Sequence, residues 1–125
     1  MNKEDLLKEY KNVTFLDHPL LKHKITKLRD RNTKTMEFRQ LVKEIAVLEG
    51  YEALRSVETV DIFLNTPVEE TVQPIIKGRD LCFVPILRAG LGMVDGMLEL
   101  VPNAKVGHIG LYRDEETHRP VEYYC

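Results

Sequence analysis

The sequence predicts an α/β fold: a parallel β-sheet flanked by helices, preceded by N-terminal helices and a β-hairpin arm. Three observations predict it. An apolar run at residues 81–87 leads through a glycine loop into apolar residues at helical spacing. A second strand pattern follows at 105–112, so the order strand–helix–strand is that of a βαβ unit with a parallel, right-handed crossover. Upstream, residues 35–57 carry apolar side chains at the i, i+3, i+4, i+7 spacing of a long amphipathic helix.

The composition is that of an ordinary globular protein. The 125 residues suit one domain with a real core, and the net charge of −2 argues against nucleic-acid binding. No apolar run approaches the length needed to cross a membrane, and the N-terminus has no apolar signal core. With Cys82 and Cys125 as its two cysteines, the chain fits a reducing, cytoplasmic setting rather than a disulfide framework.

The N-terminal third alternates short elements. Residues 3–10 predict a short polar helix, and residues 13–16 (V-T-F-L) predict a short strand. Residues 19–30 predict an amphipathic helix that starts at Pro19, a residue suited to the first helical turn. Its other face is basic. That face is interpreted either as a solvated surface or as part of an intersubunit or effector site.

The middle of the chain predicts a long helix and then a hairpin. Thr35 is the expected N-cap of the helix, which runs to about Val57 with Gly50 as a local weak point. Residues 57–75 predict two strands joined by a turn at 65–67, and Pro74 favours a sheet edge. A second turn at 77–80 leads into the central strand.

The loop Arg88-Ala89-Gly90 is the first candidate site. A loop between a buried strand and a helix N-terminus presents backbone N–H groups, and the helix dipole adds partial positive charge. Arginine adds a planar cation that suits phosphate oxygens. The loop therefore predicts a phosphate or pyrophosphate cradle. The alternative is an ordinary strand-to-helix turn with a solvated arginine.

Arg113 is the second candidate, at the end of the next predicted strand. Ligands of such sheets bind outside the carboxyl ends of the strands, so Arg88 and Arg113 are expected to face one anionic ligand. The alternative is that Arg113 pairs with one of the acidic residues 114–116. That acidic cluster is interpreted as a solvated turn, with a cation site as the other option.

Residues 84–93 (V-P-I-L-R-A-G-L-G-M) resemble the pyrophosphate loop of uracil phosphoribosyltransferases. Further matches to that family follow the chain in order: residues 18–24 (H-P-L-L-K-H-K), 38–39 (F-R), 51–53 (Y-E-A) and 111–117 (L-Y-R-D-E-E-T). The resemblance implies a type I phosphoribosyltransferase-like fold. Residues 1–125 would be the N-terminal part of one domain, divided into a helical region (1–56), a hairpin arm (57–76) and a βαβ core (80–125). The C-terminal part, with the ribose-phosphate loop and the uracil-binding hood, would be absent.

The resemblance also implies a reaction: uracil and 5-phosphoribosyl 1-diphosphate give UMP and diphosphate. Arg88, with the N–H groups of Ala89 and Gly90, would bind the diphosphate together with Arg113. Mg²⁺ would enter with the diphosphate, and no residue is assigned as catalytic or as a metal ligand. A non-proline cis peptide is expected at Leu87–Arg88.

Regulation and assembly follow from the same resemblance. GTP would act as an allosteric activator near Arg39 and Lys43, and the protein would be a homo-oligomer, a dimer or a tetramer, in which the hairpin arm would serve as an interface. Uracil and ribosyl diphosphate would be its small-molecule partners, with no membrane or nucleic-acid partner. Two alternatives remain: a nucleotide-sensing RNA-binding regulator, and a non-catalytic fragment that acts as an assembly module.

Overall fold

The structure, a computed structural model, describes residues 3–77 and 81–125. The helices are α1 (Lys3–Glu9), α2 (Pro19–Arg29), α3 (Thr35–Ala53) and α4 (Leu91–Leu100). The strands are β1 (Thr59–Asn65), β2 (Glu70–Ile76), β3 (Cys82–Phe83), β4 (Ile86–Leu87), β5 (Lys105–Val106), β6 (Ile109–Arg113) and β7 (Pro120–Tyr124). This is the α/β architecture that the sequence predicts.

The first two helices form where the sequence predicts them. Pro19 begins α2, and the Nδ1 atom of His18 accepts a hydrogen bond from the Leu20 N–H at 3.1 Å, which caps the helix. The strand predicted at 13–16 is wrong. Residues 14–16 instead line a hollow beside α2 and α3, and no strand of the described residues pairs with them to form a ladder.

Helix α3 differs from the prediction at both ends. Lys34 precedes the first turn without a side-chain hydrogen bond, so Thr35 is the first helical residue and not the predicted cap. The α-helix ends at Ala53, where a short 3-10 turn (Leu54–Ser56) tightens the chain and carries it to Val57. The presence of the helix could therefore be predicted from periodicity, whereas its first and last residues are set by local hydrogen bonds.

Helix α4 lies against α3 at close range. A Cβ atom at Gly96 would sit 2.5 Å from the Lys43 carbonyl oxygen and 3.0 Å from the Ala46 Cβ. Ala46 is fully buried, and the core around it consists of Leu21, Leu41 and Ile45. Small residues at the crossing let the two backbones approach, which fixes α4 and the loop that precedes it.

The βαβ unit is parallel, as predicted. Strand β3 pairs with β5, and β4 pairs with β6 in a register that sets Ile86 opposite Ile109 and Leu87 opposite Gly110. The Ile109 N–H donates to the Pro85 carbonyl oxygen at 3.2 Å and bridges the gap between the two short pairs. Strand β7 then pairs antiparallel with β6. Strand β4 thus ends opposite Gly110, and β6 continues three residues further, to Arg113.

Strands β1 and β2 form the predicted hairpin, closed by a turn in which the Thr66 N–H donates to the Glu69 carbonyl oxygen at 2.9 Å. Phe63 and Val72 face each other across it and are 65% and 57% exposed. Of the turn predicted at 77–80, residues 78–80 lie outside the described residues. Within the ranges described, the helices are too short or too polar to cross a bilayer.

Candidate functional site

The loop at 88–90 joins β4 to α4. The peptide bond between Leu87 and Arg88 is cis, as the sequence resemblance led us to expect. Arg88 and Ala89 are exposed, and Gly90 is half-buried directly before the first turn of α4. The loop therefore presents a guanidinium group and a helix N-terminus on one short segment.

Backbone hydrogen bonds set the shape of this loop. The Gly90 N–H donates to the Ile86 carbonyl oxygen at 2.9 Å, and the Leu91 N–H donates to the Arg88 carbonyl oxygen at 3.2 Å. A Cβ atom at Gly90 would lie 2.8 Å from the Ile86 carbonyl oxygen, so glycine is required by the loop's own fold. The Ala89 N–H has no hydrogen-bond partner within the described chain, and an anion approaching Gly90 would share a donor already in use.

Arg113 is the last residue of β6, the parallel neighbour of β4. Leu87 lies opposite Gly110, and Arg113 comes three residues later. At a rise of about 3.3 Å per residue, Arg113 lies on the order of 10 Å further along the strand direction than the point where β4 ends. Arginine side chains are long, so we expect both to reach one diphosphate at this edge.

Both arginines are exposed, and the ion pairs found in residues 3–77 and 81–125 include neither of them. Among the described residues, Arg113 does not form the ion pair with the acidic residues 114–116 that was the alternative interpretation, and its role as a diphosphate ligand stays a prediction. An exposed arginine without a carboxylate partner keeps its donors for an anionic ligand.

One oxygen of the Asp114 carboxylate is engaged within its own turn. Its Oδ1 atom accepts hydrogen bonds from the N–H groups of Thr117 at 2.7 Å and Glu116 at 3.1 Å, and from the Thr117 hydroxyl at 2.9 Å. The Thr117 backbone and hydroxyl bonds hold the pKa of the Asp114 carboxyl below its ordinary value. The carboxylate is thus used inside the turn.

The described residues contain no group of three or more His, Cys, Asp and Glu side chains arranged to hold a metal ion. Residues 114–116 form part of the predicted turn, in which Asp114 accepts hydrogen bonds from Glu116 and Thr117.

The proposed effector residues line a cavity of about 770 Å³ between α3 and the start of α4. Arg39 and Lys43 come from α3, and Gly92 and Asp95 from α4. The Lys43 Nζ atom lies 2.6 Å from a Glu99 carboxylate oxygen, and this hydrogen bond raises the pKa of Lys43. Because Gly92 is in the first turn of α4, this cavity lies at the same end of the helix as the 88–90 loop.

The basic face of α2 is only partly solvated. His23, Lys24 and Lys27 line a second cavity, of about 570 Å³, with residues of α3. Lys24 forms an ion pair with Glu44, and hydrogen bonds from Lys24 and Gln40 lower the pKa of Glu44. Part of the positive charge of α2 is therefore neutralised by α3.

Comparison with known proteins decides the family. Residues 15–125 match the family model of uracil phosphoribosyltransferase. The chain belongs to the uracil phosphoribosyltransferase family. The uracil phosphoribosyltransferase of Thermoanaerobacter sp. (strain X514) is 59% identical over 116 residues, which cover 93% of this chain and 55% of the relative. That of Clostridioides difficile (strain 630) is 53% identical over 109 residues, 87% of this chain and 52% of the relative.

A solved structure of a protein from Aquifex aeolicus superimposes with a TM-score of 0.83 at 38% identity, covering 89% of this chain and 53% of that one. The phosphoribosyltransferase-like fold predicted from the sequence is thereby confirmed. The chain spans about half the length of the uracil phosphoribosyltransferases it matches.

Sequence reasoning missed two features of this uracil phosphoribosyltransferase segment. One is the role of Asp114, for which the Asp-x-x-Thr spacing at 114 and 117 was an available signal of an aspartate-capped turn. The other is the close crossing of α3 and α4, which the four-residue spacing of Gly92 and Gly96 would have indicated.

Proposed function

We propose that this chain supplies the diphosphate-binding side of a uracil phosphoribosyltransferase, which converts uracil and 5-phosphoribosyl 1-diphosphate to UMP and diphosphate. The observation that carries the proposal is the placement of Arg88 and Arg113. Arg88 follows β4 and Arg113 is the last residue of its parallel neighbour β6, and neither has an ion pair within the described residues. The family match favours the enzyme over an RNA-binding regulator.

The roles of these residues follow from the reaction. The bond between ribose C1 and the diphosphate oxygen breaks, and its electron pair leaves with the diphosphate. Uracil N1 forms the new bond to C1 and loses its proton. Arg88, Arg113 and the Ala89 N–H would stabilise the negative charge that gathers on the leaving group. Because the backbone of the 88–90 loop is fixed before the substrate arrives, little reorganisation is needed in the transition state.

Mg²⁺ belongs to the substrate in this proposal. It would enter on the diphosphate oxygens and neutralise part of their charge. The carboxylate nearest to Arg113 in sequence, that of Asp114, accepts three hydrogen bonds on Oδ1 within its turn, and the proposal assigns the chain's contribution at this edge to the cationic Arg88 and Arg113.

The proposal also states which part of the catalytic domain this chain represents. The curated relatives are nearly twice as long as the matched segment. By resemblance, their ribose-phosphate loop and uracil-binding hood lie beyond the match. Residues 1–125 would then be the N-terminal part of one catalytic domain, with a helical region (1–56), a hairpin arm (57–76) and the βαβ core (80–125) that carries the diphosphate site.

GTP regulation forms part of the proposal. A GTP phosphate would bind Arg39, which has no ion pair within the described residues, and would compete with Glu99 for Lys43. The same cavity includes Gly92 in the first turn of α4, so an occupant would contact the helix that follows the 88–90 loop.

The proposal includes a homo-oligomer in which the hairpin arm forms an interface between subunits. Phe63 and Val72 are exposed, and neither β1 nor β2 packs extensively against another described helix or strand. A two-stranded hairpin is marginal on its own, which favours a covering partner. The exposed free thiols of Cys82 and Cys125 fit the cytoplasmic setting that we also propose.

The proposal is tested by isothermal titration calorimetry of this chain with Mg²⁺–diphosphate and with ribosyl diphosphate. Arg88→Ala and Arg113→Ala are each expected to weaken binding by about tenfold or more, since each removes a charge-assisted hydrogen bond. The matched control is Arg31→Ala, which removes an exposed arginine from the turn after α2 and should leave the dissociation constant unchanged.

Two outcomes would overturn the proposal. One is a wild-type chain that does not bind either ligand. The other is binding that Arg88→Ala and Arg113→Ala reduce no more than the Arg31→Ala control does.

A further inference from the structure

The loop between β6 and β7 is organised by one residue, Asp114. Its backbone N–H donates to the Arg119 carbonyl oxygen at 2.9 Å, and its carbonyl oxygen accepts from the His118 N–H at 3.0 Å. Its carboxylate accepts three more hydrogen bonds, all on Oδ1, from Glu116 and Thr117. Asp114 is half-buried, whereas residues 115–119 are exposed. The loop thus folds around the residue that follows Arg113.

These bonds restrict the backbone where Arg113 leaves the sheet. Arg113 is still in register with Pro120 of β7, and Asp114 closes the loop one residue later. The direction in which the strand ends is therefore set by contacts of Asp114. A guanidinium group acts on a diphosphate only while its backbone holds it at the right place, because misplacement by about 1 Å can abolish most of its effect.

We propose that Asp114, through its hydrogen bonds to Thr117, is a positioning residue that holds Arg113 towards the anion at the carboxyl edge of β6. The inference rests on the proposed diphosphate-binding role of Arg113. It adds that an acidic residue beside the site strengthens anion binding, since its carboxylate is held by the turn and does not pair with the arginine.

A positioning role and simple electrostatic repulsion predict opposite changes in diphosphate affinity when the Asp114 side chain is removed. A carboxylate that only lay near the site would repel diphosphate, and its removal would tighten binding. A carboxylate that positions Arg113 does the opposite, so its removal weakens binding. Removal of the charge with retention of the acceptor separates the two effects.

The experiment measures the dissociation constant of inorganic diphosphate with Mg²⁺ for the chain and its variants by calorimetry. Asp114→Ala, which loses the acceptor, is expected to bind about fivefold more weakly, as expected for loss of a capping side chain. Asp114→Asn keeps an Oδ1 acceptor and loses the negative charge, so it should bind as tightly as the wild type or more tightly. Glu115→Gln is the matched control, because Glu115 is an exposed neighbour whose side chain forms none of the turn's hydrogen bonds, and it should show equal or slightly tighter binding.

Thr117→Val gives a second variant with less disturbance of the fold. It removes the hydroxyl donor but keeps the backbone N–H bond to Asp114, and about twofold weaker binding is expected. Thermal unfolding of each variant, followed by circular dichroism, shows that affinities are compared between folded proteins.

Each outcome has one meaning. Asp114→Ala binding as tightly as the wild type, or Asp114→Asn binding as weakly as Asp114→Ala, overturns the positioning role while the diphosphate site stands. If Asp114→Ala does not fold, unchanged affinity of Thr117→Val overturns it. Unchanged affinity of Arg113→Ala removes Arg113 from the site and overturns this inference, and a wild type that does not bind diphosphate overturns the proposed function as well.

Discussion

The two arginine loops at the sheet edge are built in different ways. The 88–90 loop is held by its main chain, because the Gly90 N–H bonds to the Ile86 carbonyl oxygen and leaves no room for a Cβ atom. The 114–119 loop has two main-chain hydrogen bonds at Asp114, and three further bonds to the Asp114 carboxylate complete it. The same task, the placement of one guanidinium group, is thus performed once by steric fit and once by charge-assisted hydrogen bonds.

This difference determines what each loop tolerates. A loop fixed by close backbone contact fails when any side chain is added at the contact point. A loop fixed by a carboxylate tolerates substitutions at neighbouring positions, but it loses hydrogen-bond acceptance when that carboxylate is protonated. The two loops should therefore respond to different perturbations.

The largest expected effect is that of Gly90→Ala. The new methyl group would lie 2.8 Å from the Ile86 carbonyl oxygen and 2.9 Å from the Ile86 nitrogen, so the loop must move. We expect the free energy of unfolding to fall by about 1–3 kcal/mol and diphosphate affinity to fall with it. Urea unfolding and calorimetry measure the two changes.

Gly107→Ala is the matched control in the neighbouring strand segment. A methyl group there would meet Val84 at 3.5 Å and Cys82 at 3.7 Å, which is ordinary contact. Its unfolding free energy should change by less than about 0.5 kcal/mol. Equal losses for the two variants would mean that the 88–90 loop is not specially constrained.

A smaller effect is expected from pH, and it should appear in one loop only. The folded-state pKa of Asp114 lies below its unfolded value, so the ionised carboxylate stabilises the turn fully above about pH 3.9. That contribution is lost as the pH falls through the lowered pKa. Hydrogen exchange should show the Thr117 amide losing protection in this range before the chain unfolds.

The Gly90 amide provides the internal comparison, because its acceptor is a main-chain carbonyl that does not titrate. In Asp114→Asn the pH step at Thr117 should disappear. A parallel loss of protection at Gly90 and Thr117, or a step that persists in Asp114→Asn, would contradict the distinction between the loops.

Much of the fold could be predicted from the sequence. The apolar run at 81–87, the glycine loop and the strand at 105–112 gave the parallel βαβ unit, since strand and helix periods differ clearly. The hairpin followed from its turn and from Pro74 at an edge. The strand at 13–16 failed because strand formation requires a neighbouring strand, which a local pattern does not reveal.

The candidate site could be predicted in part. Arg88 and Arg113 were predicted as site residues because strand ends of a parallel unit meet at one edge, and the structure confirms the parallel pairing of β4 and β6. Which partner Arg113 would take was undecided, since three acidic residues follow it. The bonds of Asp114 to Thr117 resolve that choice, and they depend on the loop conformation.

By itself, the sequence determined the helices, the hairpin and the parallel order of β4 and β6, with one arginine at or directly after the end of each of those strands, because periodicity and chain order are local properties. The tertiary structure decided that residues 13–16 form no strand, where α3 ends, and that Asp114 bonds to its turn and not to Arg113. Spacings such as Gly92/Gly96 and Asp114/Thr117 indicate that a close helix crossing or a turn can form, but the partners and free space that decide whether it forms are brought together only by folding.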